Sequence, residues 1–304
     1  MRLSQISPEL YRKGATTSDA YQHCRKIGTN HYENFTVVSR LLPRKKRKYV
    51  YALYAFSRYT DDLGDELEDG NSSALDQWEQ ELEKSIKNGT TDNLILIALR
   101  DTVHELDLSL EWLKKIIHAN RMDQLNNSYE TYEDLLHYCD HSANPVGRIF
   151  LKIFDQSSER NNALSDKTCT GLQLTNFWQD VNRDEKMGRV YIPVEDMEHF
   201  NYSREKLEKR VYNENFVNLM KFEVNRARKL LKEGFTLVPL LEGRIKIDVR
   251  LFNLGGLKIL NKIGQINYDV LHTRPTISKF EKVTLFSLSL LDHLLGGAIY
   301  GKQP

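Results

Sequence analysis

Two clusters of acidic residues are the part of this sequence with the clearest capacity for chemistry. The first reads Asp61-Asp62-Leu63-Gly64-Asp65-Glu66, and the second reads Asp180-Val181-Asn182-Arg183-Asp184-Glu185. Carboxylate oxygens are the ligands that Mg²⁺ prefers, and bound Mg²⁺ is usually completed by substrate phosphates. Two such carboxylate rows that faced each other would repel unless a cation lay between them. The pattern therefore predicts an enzyme that handles diphosphates.

Each cluster ends a row of polar residues at intervals of three or four, which places the side chains on one face of a helix. An acidic helix surface in solvent is the simplest alternative. The preceding residues, 50–59 and 171–179, are largely apolar. They predict helices packed in a core, where carboxylates need partners or a metal ion. The rows are Tyr54, Arg58, Asp61 and Asp65, and Gln173, Asn176, Asp180 and Asp184.

Several polar residues near these rows could contact a phosphate, and each has a second interpretation. Arg58 could neutralise the acidic row or hold a phosphate. Arg189, in the loop after the second cluster, could swing over whatever that helix binds, or could be a surface arginine. Gln173 and Asn176 could form a core hydrogen-bonded pair, although their place on the second row favours the lining of a cavity. His31 could donate to a phosphate, but a lone histidine is more often structural.

The elements that carry these residues all read as helices. Apolar residues recur at three and four over long stretches, and the alternation typical of strands is hardly seen. We predict an all-α protein with one helical domain over residues 1–304, because no Pro- or Ser-rich linker divides the chain. Pro145 either kinks a helix or separates two short ones, and Gly147 lets another backbone or a ligand come close. The predicted helices are 18–28, 45–66, 74–87, 92–107, 110–125, 131–154, 162–185, 204–210, 213–238, 247–268 and 276–297.

The amino-acid composition limits which partners the protein can bind and which cellular compartment it occupies. Lys and Arg total 43 against 42 for Asp and Glu, so no global field favours nucleic acid, and the basic run 44–48 is predicted to open a helix. Three cysteines without metal-type spacing suit a reducing compartment and are interpreted as small buried residues. The N-terminus lacks the apolar stretch of a signal peptide, which predicts a cytoplasmic protein. Residues 283–300 are mostly apolar but contain Asp292 and His293, which favours a buried last helix over a membrane-seated one.

In combination, these motifs resemble the squalene and phytoene synthases, the head-to-head prenyl synthases of the all-helical isoprenoid synthase fold. The resemblance covers most of the chain, and the order and separation of its motifs make it specific. It implies helices around a central apolar cavity. The motifs are His31 to Pro43, Tyr54 to Arg58 before Asp61-Asp62, Tyr138-Cys139 before Val146-Gly147, Gln173 to Asn176 before Asp180 and Asp184, and Gly188 to Pro193.

The resemblance also implies roles for individual residues. The carboxylates would bind Mg²⁺ and, through it, a diphosphate, while other side chains would contact the phosphates or the prenyl chains. The implied metal ligands are Asp61, Asp62, Asp65, Asp180 and Asp184. The implied substrate-binding residues are His31, Asn34, Arg58, Gln173, Asn176, Arg189 and Tyr268, with Ala143, Val146 and Tyr138 near the prenyl chains.

Two segments differ from the usual family pattern. Gln179 stands where the family usually has arginine. Polar residues also follow the Tyr-Cys pair, where small apolar ones are frequent; they are Asp140, His141, Ser142 and Asn144. The segments His-Tyr-Glu-Asn-Phe, His-Ser-Ala-Asn-Pro-Val-Gly and Phe-Trp-Gln-Asp-Val resemble one branch, the bacterial hydroxysqualene synthases of hopanoid biosynthesis.

That branch implies conversion of presqualene diphosphate and water to hydroxysqualene, with release of diphosphate. The candidate catalytic residues are the five aspartates with Arg58 and Tyr138, which the resemblance implies, and His141 and Asn144. Polar side chains in an otherwise apolar cavity could hold the water that captures the carbocation. We hypothesise that His141 or Asn144 contributes to its placement.

Other functions stay open at this point. An enzyme of the same fold could condense farnesyl diphosphate to presqualene diphosphate or carry it to squalene, and the latter would need NADPH. No glycine-rich dinucleotide fingerprint is visible, and we expect Mg²⁺ but not NADPH as cofactor. A non-catalytic helical scaffold, with acidic rows that pair with a partner, is the alternative from another class. Because the implied substrate is a lipid diphosphate, we expect peripheral contact with the inner face of the membrane. The protein would act beside a presqualene diphosphate synthase.

Overall fold

The computed structural model describes residues 7–30, 42–65 and 73–294 of the chain. Within these residues the regular elements are helices, and the only extended pairings are two isolated bridges, Tyr11 with Asn93 and Ser128 with Val190. This confirms the all-α class. The helices are α1 (Thr17–Asn30), α2 (Arg44–Asp65), α3 (Ser73–Asn88), α4 (Leu94–Leu106), α5 (Leu110–Leu125), α6 (Tyr132–Ser142), α7 (Asn144–Ile153), α8 (Glu159–Lys186), α9 (Val194–His199), α10 (Arg204–Glu208), α11 (Glu214–Phe235), α12 (Ile245–Gln265) and α13 (Lys279–Leu294).

Side chains cap the first turns of several helices. The Asn93 carboxamide oxygen accepts hydrogen bonds from the backbone N–H groups of Ile95 and Leu96 at the start of α4. At the start of α6, the Thr131 hydroxyl accepts from the Asp134 N–H, and the Asp134 carboxylate accepts from the Thr131 N–H. These reciprocal bonds satisfy backbone donors that have no partner inside the helix. The helix starts are therefore determined locally.

The window predicted as one helix over 131–154 is two helices, α6 and α7. Pro145 occupies the second position of α7, where its missing N–H group leaves no intrahelical hydrogen bond unmade. Of the two alternatives at Pro145, the break is therefore the observed one. The sequence also missed the short helix α9, because six residues are too few for a periodic pattern. The other predicted helices lie within a few residues of the observed ones, and α2 begins at the basic run as predicted.

The chain divides into two compact units. The first comprises Met1–Leu125 and Arg148–Ser157, and the second comprises Asn126–Gly147 and Ser158–Pro304. One domain over residues 1–304 stays a prediction. In the first unit, α2 packs against α1, α4 and α5. Phe56 of α2 stacks on Trp78 of α3 with 5.7 Å between ring centroids, and the Trp78 indole N–H donates to the Thr60 hydroxyl at 3.0 Å.

In the second unit, the long helix α8 packs against α11 and α12. Glycines permit this close packing. A Cβ on Gly234 of α11 would lie 2.6 Å from the backbone nitrogen of Thr168, and one on Gly256 of α12 would lie 2.7 Å from Leu231. Because α8, α11 and α12 pack this closely, α8 cannot shift or rotate freely, and the position of its polar face is fixed.

The prediction of a buried last helix is wrong for the described part of that helix. Only Ser289 and Asp292 of α13 are buried, and Phe280 and Leu294 are 80% and 72% exposed. The error arose because the apolar residues were taken as the buried face, whereas the buried face is the polar one. None of the described helices is both long and apolar enough to cross a membrane.

Candidate active site

The first acidic row lies on the last turns of α2. Its opposite face is buried through Phe56, Tyr59 and Leu63, so the row itself is turned toward solvent. Asp61 is exposed and Asp62 is partly exposed. The helix is thus packed in a core, as predicted, but its described carboxylates are accessible.

Arg58 forms an ion pair with Asp62 one turn later, with 2.5 Å between the guanidinium nitrogen and the carboxylate oxygen. Both side chains are close to half exposed. This ion pair is consistent with neutralisation of the acidic row, and the contact of Arg58 with a phosphate stays a prediction. Because an exposed pair of this kind contributes little free energy, the guanidinium can be released to another anion at small cost.

Side chains of helix α5 form hydrogen bonds with the first acidic cluster. The Asn120 side-chain amide donates to the Asp61 carboxylate at 3.2 Å, and the Gln124 amide donates to the Gly64 carbonyl at 3.2 Å. A Cβ on Gly64 would lie 2.6 Å from the Asn120 oxygen. The glycine inside the acidic cluster is therefore what lets Asn120 reach Asp61.

The second acidic row lies on α8. Leu174, Phe177 and Trp178 bury the opposite face of the helix. On the polar row, Asn176 is exposed, and Gln173, Asp180 and Asp184 are partly exposed. The exposure of Asn176 excludes the alternative in which Gln173 and Asn176 form a core pair.

Asp180 is held by an arginine that the sequence analysis did not single out. Arg274 donates from Nε to one oxygen of Asp180 at 2.5 Å and from its terminal nitrogen to the other at 2.9 Å. Arg183 adds a longer contact of 3.6 Å on the exposed side. The hydrogen bonds to Asp180, together with the charge of Asp184, raise the pKa of the Arg274 guanidinium above its ordinary value.

A second contact fixes the segment that carries Arg274. Gln179 is buried, and its side-chain amide donates to the Pro275 carbonyl at 2.5 Å. Two adjacent residues of α8 therefore bind two adjacent residues of the segment between α12 and α13. Gln179 stands where the family usually has arginine, and here its amide serves as an anchor while Arg274 supplies the cation. No sequence motif marks Arg274, although an arginine directly before a proline in a polar connection could have drawn attention to it.

Residues after α8 lie close to the second acidic row. The Arg189 backbone N–H donates to the Asp184 carbonyl at 2.9 Å, and Gly188 adopts a φ of +78° that makes the tight turn possible. Arg189 and Asp184 line a small cavity together with Phe177 and Tyr191. Arg189 is only partly exposed, so the structure places it beside the acidic row rather than on the open surface.

An aromatic cluster lies on the buried side of the same region. Phe177 stacks on Tyr191 with ring centroids 3.8 Å apart, and Tyr138 packs at 6.0 Å from Tyr191 and 5.6 Å from Tyr129. Tyr138 is 5% exposed. Its predicted place near a prenyl chain is compatible with this apolar environment.

The polar segment that follows Tyr138 forms a corner between α6 and α7. Asn144 is buried and makes two contacts: its carboxamide oxygen accepts from the Thr170 hydroxyl of α8 at 3.0 Å, and its amide donates to Asp140 at 3.5 Å. His141 Nδ1 lies 2.9 Å from the carbonyl oxygen of His137. Because a carbonyl oxygen only accepts, Nδ1 carries the proton of the neutral ring, which leaves Nε2 as the acceptor.

The small residues of this corner serve packing. Gly147 lies against Ser165 and Cys169 of α8, where a Cβ would not fit. Ala143 and Val146 are both partly exposed. Cys24 and Cys139 are buried as predicted, but Cys169 is partly exposed, so the interpretation of all three cysteines as buried is wrong for Cys169.

Tyr268 lies in the turn after α12 with a φ of +64°, and its hydroxyl is near Gly264. It belongs to the same connection as Arg274. His31, Asn34 and the side chain of Asp65 lie outside the described residues. Their predicted roles stay predictions.

The donor chemistry of both rows fits a hard cation. In the described part of the chain, no three His, Cys, Asp or Glu side chains are grouped as a ready-made metal site. Asp61 and Asp180 nonetheless offer carboxylate oxygens that solvent can reach. Asp180 can give those oxygens to a cation only if Arg274 releases them.

Comparison with known proteins agrees with the fold and the motifs. The sequence matches the squalene/phytoene synthase family over residues 29–281. It is 30% identical to the 15-cis-phytoene synthase of Synechococcus elongatus, over 95% of this chain and 98% of that protein. The crystal structure of squalene synthase HpnC from Alicyclobacillus acidocaldarius has a TM-score of 0.80 and 38% identity, covering 83% of this chain and 95% of that one. A dehydrosqualene synthase structure has a TM-score of 0.83 and 25% identity, covering 92% and 98%.

The chain therefore belongs to the squalene/phytoene synthase family, a family of enzymes that act on isoprenoid diphosphates. Its all-helical fold is the fold of that family.

Proposed function

We propose that this protein converts presqualene diphosphate and water to hydroxysqualene, diphosphate and a proton, with Mg²⁺ as cofactor. The observation that supports it most is the polar corner at residues 140–144, which joins α7 to α6, the helix that also supplies Tyr138 to the aromatic cluster. Similarity at 38% identity to a structure named as a squalene synthase, HpnC, supports a squalene-type rather than a phytoene-type product. A helical cavity for the prenyl chains is part of the proposal.

The acidic rows and arginines would handle the diphosphate. Asp61, Asp62 and Asp65 on α2, and Asp180 and Asp184 on α8, would hold Mg²⁺, which when bound neutralises charge on the leaving group. Arg58 and Arg274 are each paired with an aspartate of these rows. Either guanidinium can turn from its carboxylate to a phosphate, which it binds with the same fork of donors. His31, Asn34, Gln173, Asn176, Arg189 and Tyr268 are the remaining proposed substrate contacts.

The polar corner at residues 140–144 would position and deprotonate the water that attacks the carbocation. The carbon–oxygen bond to diphosphate breaks with its electron pair on the leaving group, and the carbocation rearranges and is attacked by a water oxygen. That water then loses a proton, for which the acceptor nitrogen of His141 is the proposed base. Asn144 keeps the corner in shape because Thr170 and Asp140 hold both ends of its carboxamide.

The reaction exchanges diphosphate for hydroxide and leaves the oxidation state unchanged. It therefore needs no NADPH, in contrast to the formation of squalene. The substrate must come from an enzyme that condenses two farnesyl diphosphates, and we propose that this protein acts beside one. We propose cytoplasmic residence, with peripheral contact at the inner face of the membrane.

A second candidate is the condensation itself, because the curated relatives at about 30% identity include proteins named phytoene synthases. In that case the same acidic rows would serve two prenyl diphosphates. A non-catalytic scaffold is the remote alternative, and it predicts that no property of the protein depends on Mg²⁺.

The test is incubation of the full chain with Mg²⁺ and either farnesyl diphosphate or presqualene diphosphate, with and without NADPH, followed by mass analysis. Hydroxysqualene from presqualene diphosphate alone, with ¹⁸O incorporated from labelled water, supports the proposal. Presqualene diphosphate or phytoene-type products would support the condensing enzyme. Squalene formed only with NADPH would overturn the proposal.

Two substitutions test the corner separately. We expect His141→Phe and Asn144→Leu to lower the ratio of alcohol to hydrocarbon products while diphosphate release continues. Ser142→Ala, in the same corner, is the matched control and should leave the ratio unchanged. An unchanged ratio in both test variants would remove the corner from the mechanism.

A further inference from the structure

Helix α13 turns an apolar face outward. Phe280 is 80% exposed, Val283 62%, Leu291 46% and Leu294 72%. These four positions follow helical spacing and form an outward strip on one face of the helix, which the exposed polar side chains of Thr284 and Ser287 interrupt. Apolar residues scattered singly on a surface are ordinary, but a strip of this length needs a partner or a lipid.

The helix cannot turn this strip inward, because its polar face is fixed. Arg250 of α12 forms a buried ion pair with Asp292 at 2.5 Å and donates to the Ser289 carbonyl at 3.3 Å. Rotation of α13 would leave both charges buried without partners, at a high cost in free energy. The outward strip is therefore a fixed feature of this unit.

The start of the helix is basic. Glu281 forms ion pairs with Lys258 at 3.3 Å and with Lys262 at 2.8 Å, and Lys279 and Lys282 flank it on α13. Four lysines thus surround one glutamate. An apolar strip bordered by lysines is the pattern of a helix that lies in the interface of an anionic bilayer.

We propose that the strip Phe280, Val283, Leu291 and Leu294 docks on the surface of an anionic lipid bilayer, with the lysine cluster against the headgroups. The choice of a lipid rests partly on the proposed function, because a prenyl diphosphate with long apolar chains partitions into membranes. The connection that carries Arg274 runs directly into α13. Docking of α13 would therefore bring the Asp180–Arg274 pair close to the source of the substrate.

A second copy of this chain is one competing occupant, because a twofold contact through the strip would also cover it. The residues after α13 are the other candidate, since the sequence continues Leu295-Gly296-Gly297-Ala298-Ile299-Tyr300. Both occupants give distinct results in the test below.

The test is co-sedimentation of the full chain with vesicles of phosphatidylcholine, with or without about one third phosphatidylglycerol. We expect binding to the anionic vesicles that weakens with salt, and a loss of at least about tenfold in the triple variant F280S/V283S/L291S. The control is Leu125→Ser, which removes a 79% exposed leucine from the other unit and should bind as wild type. Thermal unfolding checks that every variant is folded.

Four results would overturn the proposal. The first three are no binding of the wild type to either vesicle, equal binding by the triple variant, and dimers in light scattering that the triple variant abolishes. Binding to anionic vesicles that appears only after deletion of residues 295–304 would show that this segment covers the strip, which also overturns it. The readout does not use turnover, so failure of the proposed reaction and failure of the docking surface can be told apart.

Discussion

Arg274 binds both carboxylate oxygens of Asp180, although the two residues are 94 positions apart in sequence. The negative charge of Asp180 is therefore balanced by the Arg274 guanidinium when no ligand is bound. A cation at this position must compete with the guanidinium, and a phosphate nearby would compete with the carboxylate for the same guanidinium. The pair is thus a contact that substrate and metal can open together.

We expect Arg274→Gln to raise the affinity of the substrate-free protein for Mg²⁺ by roughly fivefold. An ion pair with two hydrogen bonds and partial exposure contributes about 1 kcal/mol. In the variant, Mg²⁺ no longer has to break this pair in order to bind Asp180. Turnover should nevertheless fall about 100-fold, because a cation beside the leaving group is lost. Calorimetric titration with MgCl₂ and steady-state assays measure the two effects.

Arg183→Gln is the control: it removes only the 3.6 Å contact and should change the Mg²⁺ affinity and the turnover by less than about twofold. Equal Mg²⁺ affinity in wild type and Arg274→Gln would show that the pair does not compete with metal.

Asp61→Asn tests the first acidic row. We expect turnover to fall by about 100-fold or more, because the loss of one carboxylate weakens the hold on the metal. The free energy of unfolding should change by less than about 0.5 kcal/mol, because Asp61 is exposed. Glu105→Gln, an exposed acidic residue on α4, is the control for the change of charge. Turnover that survives Asp61→Asn unchanged would show that this carboxylate does not hold the metal.

Two helical glycines give a matched test of packing. Gly234→Ala places a Cβ 2.6 Å from the Thr168 backbone nitrogen, which cannot move independently of α8. We expect it to lower the free energy of unfolding by roughly 1–3 kcal/mol. Gly255→Ala meets nothing within 4 Å and should raise stability by about 0.5–1 kcal/mol, because alanine loses less backbone entropy in a helix. Urea unfolding measures both, and similar values for the two variants would contradict the close approach of α11 to α8.

Asp248 gives the stability a pH dependence. It is fully buried with neither carboxylate oxygen hydrogen-bonded within the described structure, and burial raises its pKa from 3.8 to about 8. The folded state therefore holds a proton that the unfolded state releases between about pH 4 and pH 8, so stability from this group falls as pH rises through that window. Asp248→Asn needs no proton, and its advantage over wild type should grow to a few kcal/mol, in order of magnitude, by about pH 8. Urea unfolding at pH 5, 7 and 9 measures this, and parallel curves would contradict it.

The sequence by itself determined the helices and the two acidic rows. Both depend on local information: spacing of three and four residues, capping side chains such as Asn93 and Thr131, and the carboxylates themselves. The break at Pro145 was one of two alternatives that the sequence could not separate, because whether the chain continues straight depends on what the next turn packs against. The outward strip of α13 was misread for a related reason, since an apolar face is assigned to the core unless another contact fixes the helix.

Only the tertiary structure decided which residues meet. Arg274 reaches Asp180, Gln179 reaches Pro275, and Thr170 reaches Asn144, and no periodic pattern encodes any of these pairs. Each depends on the path of a connection or on the crossing of two helices. Periodicity reports which face of a helix a residue occupies, whereas long-range pairing follows from how the helices pack, which no short stretch of sequence determines.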